Sequence, residues 1–128
     1  MRSASQIPTE SQEQEALFRW ANLQKAKYPE LALLVHIPNG VYRNKAEAAH
    51  LKAQGVSAGF PDLVLPVARG GCHSLYIELK RSKNGRVTPE QAAWLECLAR
   101  EGHCAAVCRG WLEAKDVIER YLREEMQK

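Results

Sequence analysis

Three charged residues stand where two apolar segments meet: in GFPDLVLPVARGGCHSLYIELK, residues 59 to 80, Asp62 opens the first segment and Glu78 and Lys80 close the second. The segments read as strands over about 62 to 67 and 74 to 80, joined by ARGGCH, a hairpin connection of ordinary length. Strand side chains alternate, so Asp62, Val64 and Pro66 share one face, as do Tyr76, Glu78 and Lys80. A turn centred on Gly70 and Gly71 puts Asp62 opposite or diagonal to Glu78. Like charges so placed destabilise a sheet. A hard divalent cation relieves them, because Mg²⁺ or Mn²⁺ prefers oxygen ligands, commonly one or two carboxylates with water and a substrate phosphate. Lys80, on the same face, can orient or deprotonate an attacking water or stabilise charge on the phosphate in the transition state. The chemistry that suits this set is phosphodiester hydrolysis. An isolated E-x-K is commonplace on an exposed edge strand; here it ends an apolar hairpin that Pro61-Asp62 begins.

Those residues need a scaffold, and the rest of the chain supplies one. Thr9 to about Lys27 has Ala16, Leu17, Trp20, Ala21 and Leu23 at helical spacing. Pro29 ends this helix, and LALLVHI, residues 31 to 37, is an apolar run of strand length before a Pro38-Asn39-Gly40 turn. RNKAEAAHLKAQG predicts a second helix stopped by Gly55. After the basic loop RSKNGR, Thr88 as N-cap, Pro89 at the first helical position and Gln91 completing a capping box start a third helix, from 89 to about 101. HCAAVCR is a last strand, and Trp111 to about Glu125 a last helix. The order αβαββαβα predicts a single compact α/β domain over 9–128, a mixed four-stranded sheet flanked by helices, after a flexible segment 1–8.

With 128 residues, 45% hydrophobic and 26% charged, the chain has material for one core. A net charge of +3 is compatible with a polyanionic partner and does not demand one. The start MRSASQIPTESQ has no apolar leader region, and no run approaches the roughly 20 apolar residues that span a bilayer, so the expected location is cytoplasmic, with no membrane partner. Cys72, Cys97, Cys104 and Cys108 form no C-x-x-C pair. Zinc held by Cys104 and Cys108 with His73 and His103 is conceivable, but the spacings match no common zinc pattern, and free cysteines packed as small hydrophobes are the favoured reading, disulfides being disfavoured in the cytosol.

Pro61-Asp62 followed by Glu78-Leu79-Lys80 is the PD-(D/E)xK pattern, and the chain resembles the small stand-alone VRR-NUC nucleases of phages and bacteria, a branch of that superfamily. The resemblance is carried by EQEALFRW, HIPNG, LKAQGVSAGFPDLVLPVARGGCHSLYIELK, GRVTPEQAAWLECL and CRGWLEAKDVIERYL, in order over roughly residues 13 to 122. It implies a restriction-endonuclease-like fold in which Asp62 and Glu78 bind Mg²⁺ or Mn²⁺ together with the backbone carbonyl of Leu79, and Lys80 is the catalytic lysine. It further implies a glutamate on the first helix facing the site: Glu13 is chosen over Glu15 and Glu10 because it precedes the Leu17-Phe18 pair by the family's spacing. Gln91 matches a position near the catalytic centre, beside its capping role. Asn39, Gly40 and Ser57 match site walls, while Arg43, Lys45, Lys52, Arg81, Lys83 and Arg86 are candidates for phosphate contacts, which position DNA without reading sequence. Trp94, Leu95 and Leu98 are read as core.

Compact members of this kind look like Holliday junction resolvases, which work as homodimers. The expected function is therefore cleavage of four-way DNA junctions in a bacterial or phage-infected cell, without a nucleotide cofactor. A less selective phage or prophage nuclease on flap, nicked or linear DNA is the alternative. A catalytically silent DNA-binding module is a third, weakened by the presence of Asp62, Glu78, Lys80 and an N-terminal glutamate.

Overall fold

The computed structural model of the chain describes residues 7–38 and 44–126, and capping chemistry sets where its helices begin. Helix α1, Glu10–Leu23, starts at a reciprocal capping box: Gln12 N–H donates to Thr9 Oγ1 at 3.1 Å, and Thr9 N–H donates to Gln12 Oε1 at 2.9 Å. Helix α2, Lys45–Ala53, is capped by Asn44, whose Oδ1 accepts from Glu47 N–H, and it has no buried residue. Helix α3, Pro89–Arg100, repeats the capping box with Thr88 and Gln91. Helix α4, Trp111–Leu122, buries Ala114, Ile118, Tyr121 and Leu122 on one stripe.

Four strands form one mixed sheet in the order β1 (Val35–His36), β2 (Leu63–Leu65), β3 (Leu75–Lys80), β4 (Cys104–Arg109). The first two pairings are antiparallel and β3–β4 is parallel. In the hairpin Leu63 lies opposite Ile77 and Val64 opposite Tyr76, so one further step of the same register sets Asp62 opposite Glu78. Gly70 and Gly71 have φ of 56° and 83°, the left-handed pair that a tight two-residue hairpin turn requires, and Arg69 and Cys72 bridge across it.

Leu63, Leu65, Leu75, Ile77 and Leu79 point to one side of the sheet, into a core with Leu17, Trp20 and Ala21 of α1 and Ile118 and Tyr121 of α4. The Tyr121 hydroxyl, fully inside, donates to the Val67 carbonyl at 2.6 Å. The other side of β3, bearing Tyr76, Glu78 and Lys80, meets α3 and the loop before β2.

Three expectations change. LALLVHI is not one strand: Pro29–Leu33 is a 3-10 helix and only Val35–His36 pair with β2. Pro29 begins it with a preset φ, and Leu31 and Leu34, three apart, are the residues it buries. The strands and outer helices are shorter than expected, α1 ending at Leu23 and α4 at Leu122. Finally, Cys72 and Cys104 pair as a disulfide rather than packing as free thiols. The tight turn delivers Cys72 to the start of β3, where the parallel register sets Cys104 opposite Leu75. Cys97 is exposed and Cys108 buried as a small hydrophobe.

Candidate active site

Glu78 and Lys80 sit on the central strand β3, and both are buried, at 1% and 5% exposure. Such burial of ionisable groups is costly unless partners answer it. Asp62 reaches across from the residue before β2: its Oδ2 accepts from Leu79 N–H at 2.8 Å, and its backbone carbonyl accepts from Ile37 N–H at 2.7 Å. The carboxylate is thus tied to the backbone between Glu78 and Lys80.

Glu78 Oε2 carries two contacts, the Gln91 amide donating from Nε2 at 3.1 Å and Lys80 Nζ at 3.6 Å. Glu78 Oε1 is buried with no hydrogen-bond partner. Burial first, then the neighbouring Asp62 carboxylate, pushes the Glu78 carboxyl from 4.5 up to about 8; Lys80 opposes this and Glu10 adds to it. A site that forces a proton onto Glu78 when alone is one that a cation stabilises. Two opposed carboxylates, one with an unanswered oxygen, fit a hard divalent ion that leaves positions to water and a phosphate. Among the described residues no group of three or more His, Cys, Asp or Glu side chains could hold a metal, so the two carboxylates would need the Leu79 carbonyl, water or substrate oxygens to complete the shell.

Gln91 caps α3 and also reaches Glu78. Its Oε1 accepts from Thr88 N–H at 2.9 Å and its N–H donates to Thr88 Oγ1 at 3.1 Å, leaving Nε2 for Glu78. Backbone packing fixes it in place: a Cβ on Gly59, whose φ is 88°, would lie 2.6 Å from the Glu90 carbonyl carbon and 2.8 Å from Gln91 N. The loop before Asp62 therefore rests directly on the start of α3, coupling both walls of the site.

The three glutamates of α1 have different surroundings. Glu13 is buried, and its Oε1 accepts from Trp111 N–H at 3.1 Å, capping α4 where Gly110 offers no side chain. Glu10, exposed in the first turn of α1, adds the smallest upward push to the Glu78 carboxyl. Glu15 is exposed.

Lys45, Lys52, Lys83 and Arg86 are exposed, whereas Arg81 is half-buried and turned to the Ile7 carbonyl at 3.5 Å. Arg43, Asn39 and Gly40 lie outside the described residues. The Trp94 indole donates to Ser57 Oγ at 3.3 Å. Leu98 is buried as expected, but Trp94 and Leu95 are only half-buried.

Sequence reasoning passed over His36. Its Nδ1 lies 3.1 Å from the Asp62 carbonyl, so with a proton there the ring braces the residue that carries the carboxylate. The signal was available in HIPNG, which ends the strand paired to β2. It also passed over Phe60, which meets Tyr76 edge-on at 5.7 Å and Trp94 at 4.9 Å.

The fold that carries this geometry is one the chain shares with known proteins. The family model of the VRR-NUC domain matches residues 4–111. A solved structure described as a VRR_NUC domain protein is 37% identical, with a TM-score of 0.81, over 93% of this chain and 92% of the other. No curated protein matches. Among the described residues no helix is long and apolar enough to cross a membrane.

Proposed function

The chain belongs to the VRR-NUC family, which implies a nuclease-type hydrolase acting on DNA, and from that premise we propose that it is a metal-dependent, structure-specific endonuclease that resolves four-way junctions. The observation that carries the metal dependence is the buried Glu78 Oε1, which accepts from no donor among the described residues, while the group pressed against the carboxyl from across the hairpin is another carboxylate, Asp62. Asp62 and Glu78, with the Leu79 carbonyl, would hold Mg²⁺ or Mn²⁺. When bound there, the cation would supply positive charge to acidify a water and offset phosphate charge.

The side chains divide the remaining work. Gln91 occupies one lone pair of Glu78 Oε2, which orients the carboxylate and keeps Oε1 free. Lys80, 3.6 Å from the same oxygen, is placed to direct the water or to stabilise the added charge on phosphorus. Leu79 N–H prevents the Asp62 carboxylate from turning away. Exposed Lys45, Lys52, Lys83 and Arg86 add phosphate contacts that are indifferent to sequence. A symmetric homodimer would present two such sites to two strands related by a two-fold axis.

The test is cleavage of end-labelled four-way junction, flap and linear duplex with Mg²⁺, Mn²⁺ or EDTA, alongside Asp62→Asn and Lys80→Ala. Paired nicks in the junction that need the cation and vanish in both variants are expected. Equal cutting of linear duplex would remove the junction preference, and undiminished cutting in EDTA would remove the metal.

A further inference from the structure

The α3 side carries a feature that the hydrolytic residues do not use. Ala58, Ala93, Trp94 and Cys97, with Glu90 at the border, line an open depression of about 300 Å³. Ala58 and Glu90 also border a groove of about 580 Å³ that runs to Lys52, Gly55 and Ser57. Trp94 is held rather than merely packed: its indole N–H donates to Ser57, and Phe60 meets its ring at an interplanar angle of 74°. Gln91 and Trp94 are three residues apart, hence on one face of α3 and about 4.5 Å apart along its axis. The depression therefore begins one helical turn from the amide that contacts Glu78, on a loop that Gly59 locks to the same helix.

We infer that this depression seats an unpaired nucleobase of the DNA substrate, stacked against Trp94, with the adjoining phosphate directed to Lys52. The inference rests on the nuclease reading above but not on its four-way-junction preference, and it points to DNA with an unstacked base next to the cut, such as a flap. Three observations favour a base over other occupants. The lining is apolar apart from Glu90, and a fixed indole is a platform on which any base stacks. The exposed Glu90 carboxylate repels phosphate but not a neutral base, while exposed Lys52, which lines the adjoining groove, attracts phosphate. A second protein chain needs roughly 800 Å² per partner for a stable interface, far beyond what five lining residues provide.

The experiment uses the full chain in EDTA, so that the DNA stays intact, with 2-aminopurine in the unpaired arm of a flap or at the same position in a paired duplex. Wild type is expected to quench the flap fluorophore. Trp94→Ala should abolish the quench and weaken flap binding at least about fivefold, given the usual worth of one base stacked on an aromatic ring. Trp94→Phe should retain most of both, and the affinity of Trp94→Ala for paired duplex should change less than twofold. Ala93→Glu, a substitution at an exposed helix position that lines the depression, should reproduce the loss with the indole intact; it carries the test if Trp94→Ala fails to fold by circular dichroism. Unchanged quenching in Ala93→Glu, an equal loss on flap and paired duplex, or a Trp94 variant that alters only a dimer seen by sedimentation would overturn the inference. Absence of cation-dependent cleavage of any DNA by wild type, with quenching intact, would instead remove the nuclease reading on which it rests.

Discussion

On β3, Leu75, Ile77 and Leu79 point into an aliphatic layer closed by α1 and α4, while Tyr76, Glu78 and Lys80, one residue apart along the same backbone, point towards α3. The first side is held by non-directional burial, in which size and shape matter most. The second holds a carboxylate and an ammonium that burial alone disfavours, answered by named partners at single atoms. What the contrast teaches is a division of labour within one strand: the aliphatic side fixes the strand rigidly enough that its other side can hold charges in an arrangement with one oxygen left unanswered.

The largest break in this contrast is expected from the charged side. Asp62→Asn and Lys80→Ala should each lower the cleavage rate by at least about 100-fold, with Asp62→Asn melting close to wild type, because the amide still accepts from Leu79 N–H while the like charge beside Glu78 is gone. Rates and thermal melts on the same preparations check both halves. On the aliphatic side, Ile77→Ala should cost about 2–5 kcal/mol of stability in urea melts, while the cleavage rate per folded molecule stays near wild type. A large loss of stability in Asp62→Asn would mean that the two sides are not separable.

The pH dependence sharpens the same contrast. The Glu78 carboxyl titrates at about 8 in the fold against 4.5 otherwise, so between those values the folded form holds a proton that the unfolded form has released. Its contribution to stability is complete below about 4.5 and is lost as pH rises to about 8. In EDTA, thermal stability of wild type should therefore fall over this window, and Glu78→Gln should flatten the fall. A parallel decline in both proteins would contradict the assignment. The smallest effect separates the two tasks of Gln91: Thr88→Ala removes only the cap and should cost about 0.5–2 kcal/mol, whereas Gln91→Ala should lose the cap and also slow cleavage.

Much of this was legible in the chain because local signals agreed. Alternation from Asp62 to Lys80 around a Gly-Gly turn specified the hairpin and left Asp62 opposite or diagonal to Glu78, and Thr88-Pro89 with Gln91 specified where α3 begins. LALLVHI misled because a short apolar run fits a strand or a helical turn equally well, and only the burial of Leu31 and Leu34 on one side decides. The Cys72–Cys104 pair depends on a parallel register 32 residues apart in sequence, which no local pattern encodes. The α1 glutamates were ambiguous for a similar reason. Their helix was evident, but which of them turns to Trp111 depends on where α4 starts in space. Trp94 was read as core from its helical spacing, and its half-exposed ring follows from the loop at Ser57 and Phe60.

Calorimetric titration of Mn²⁺ into the metal-free protein at pH 7, in buffers of different ionisation enthalpy, tests the central claim most directly. A cation seated on Asp62 and Glu78 must displace the proton that burial holds on Glu78, so about one proton should be released per ion bound, and Glu78→Gln should release almost none. Binding in wild type with no proton release, or equal release from Glu78→Gln, would contradict the account.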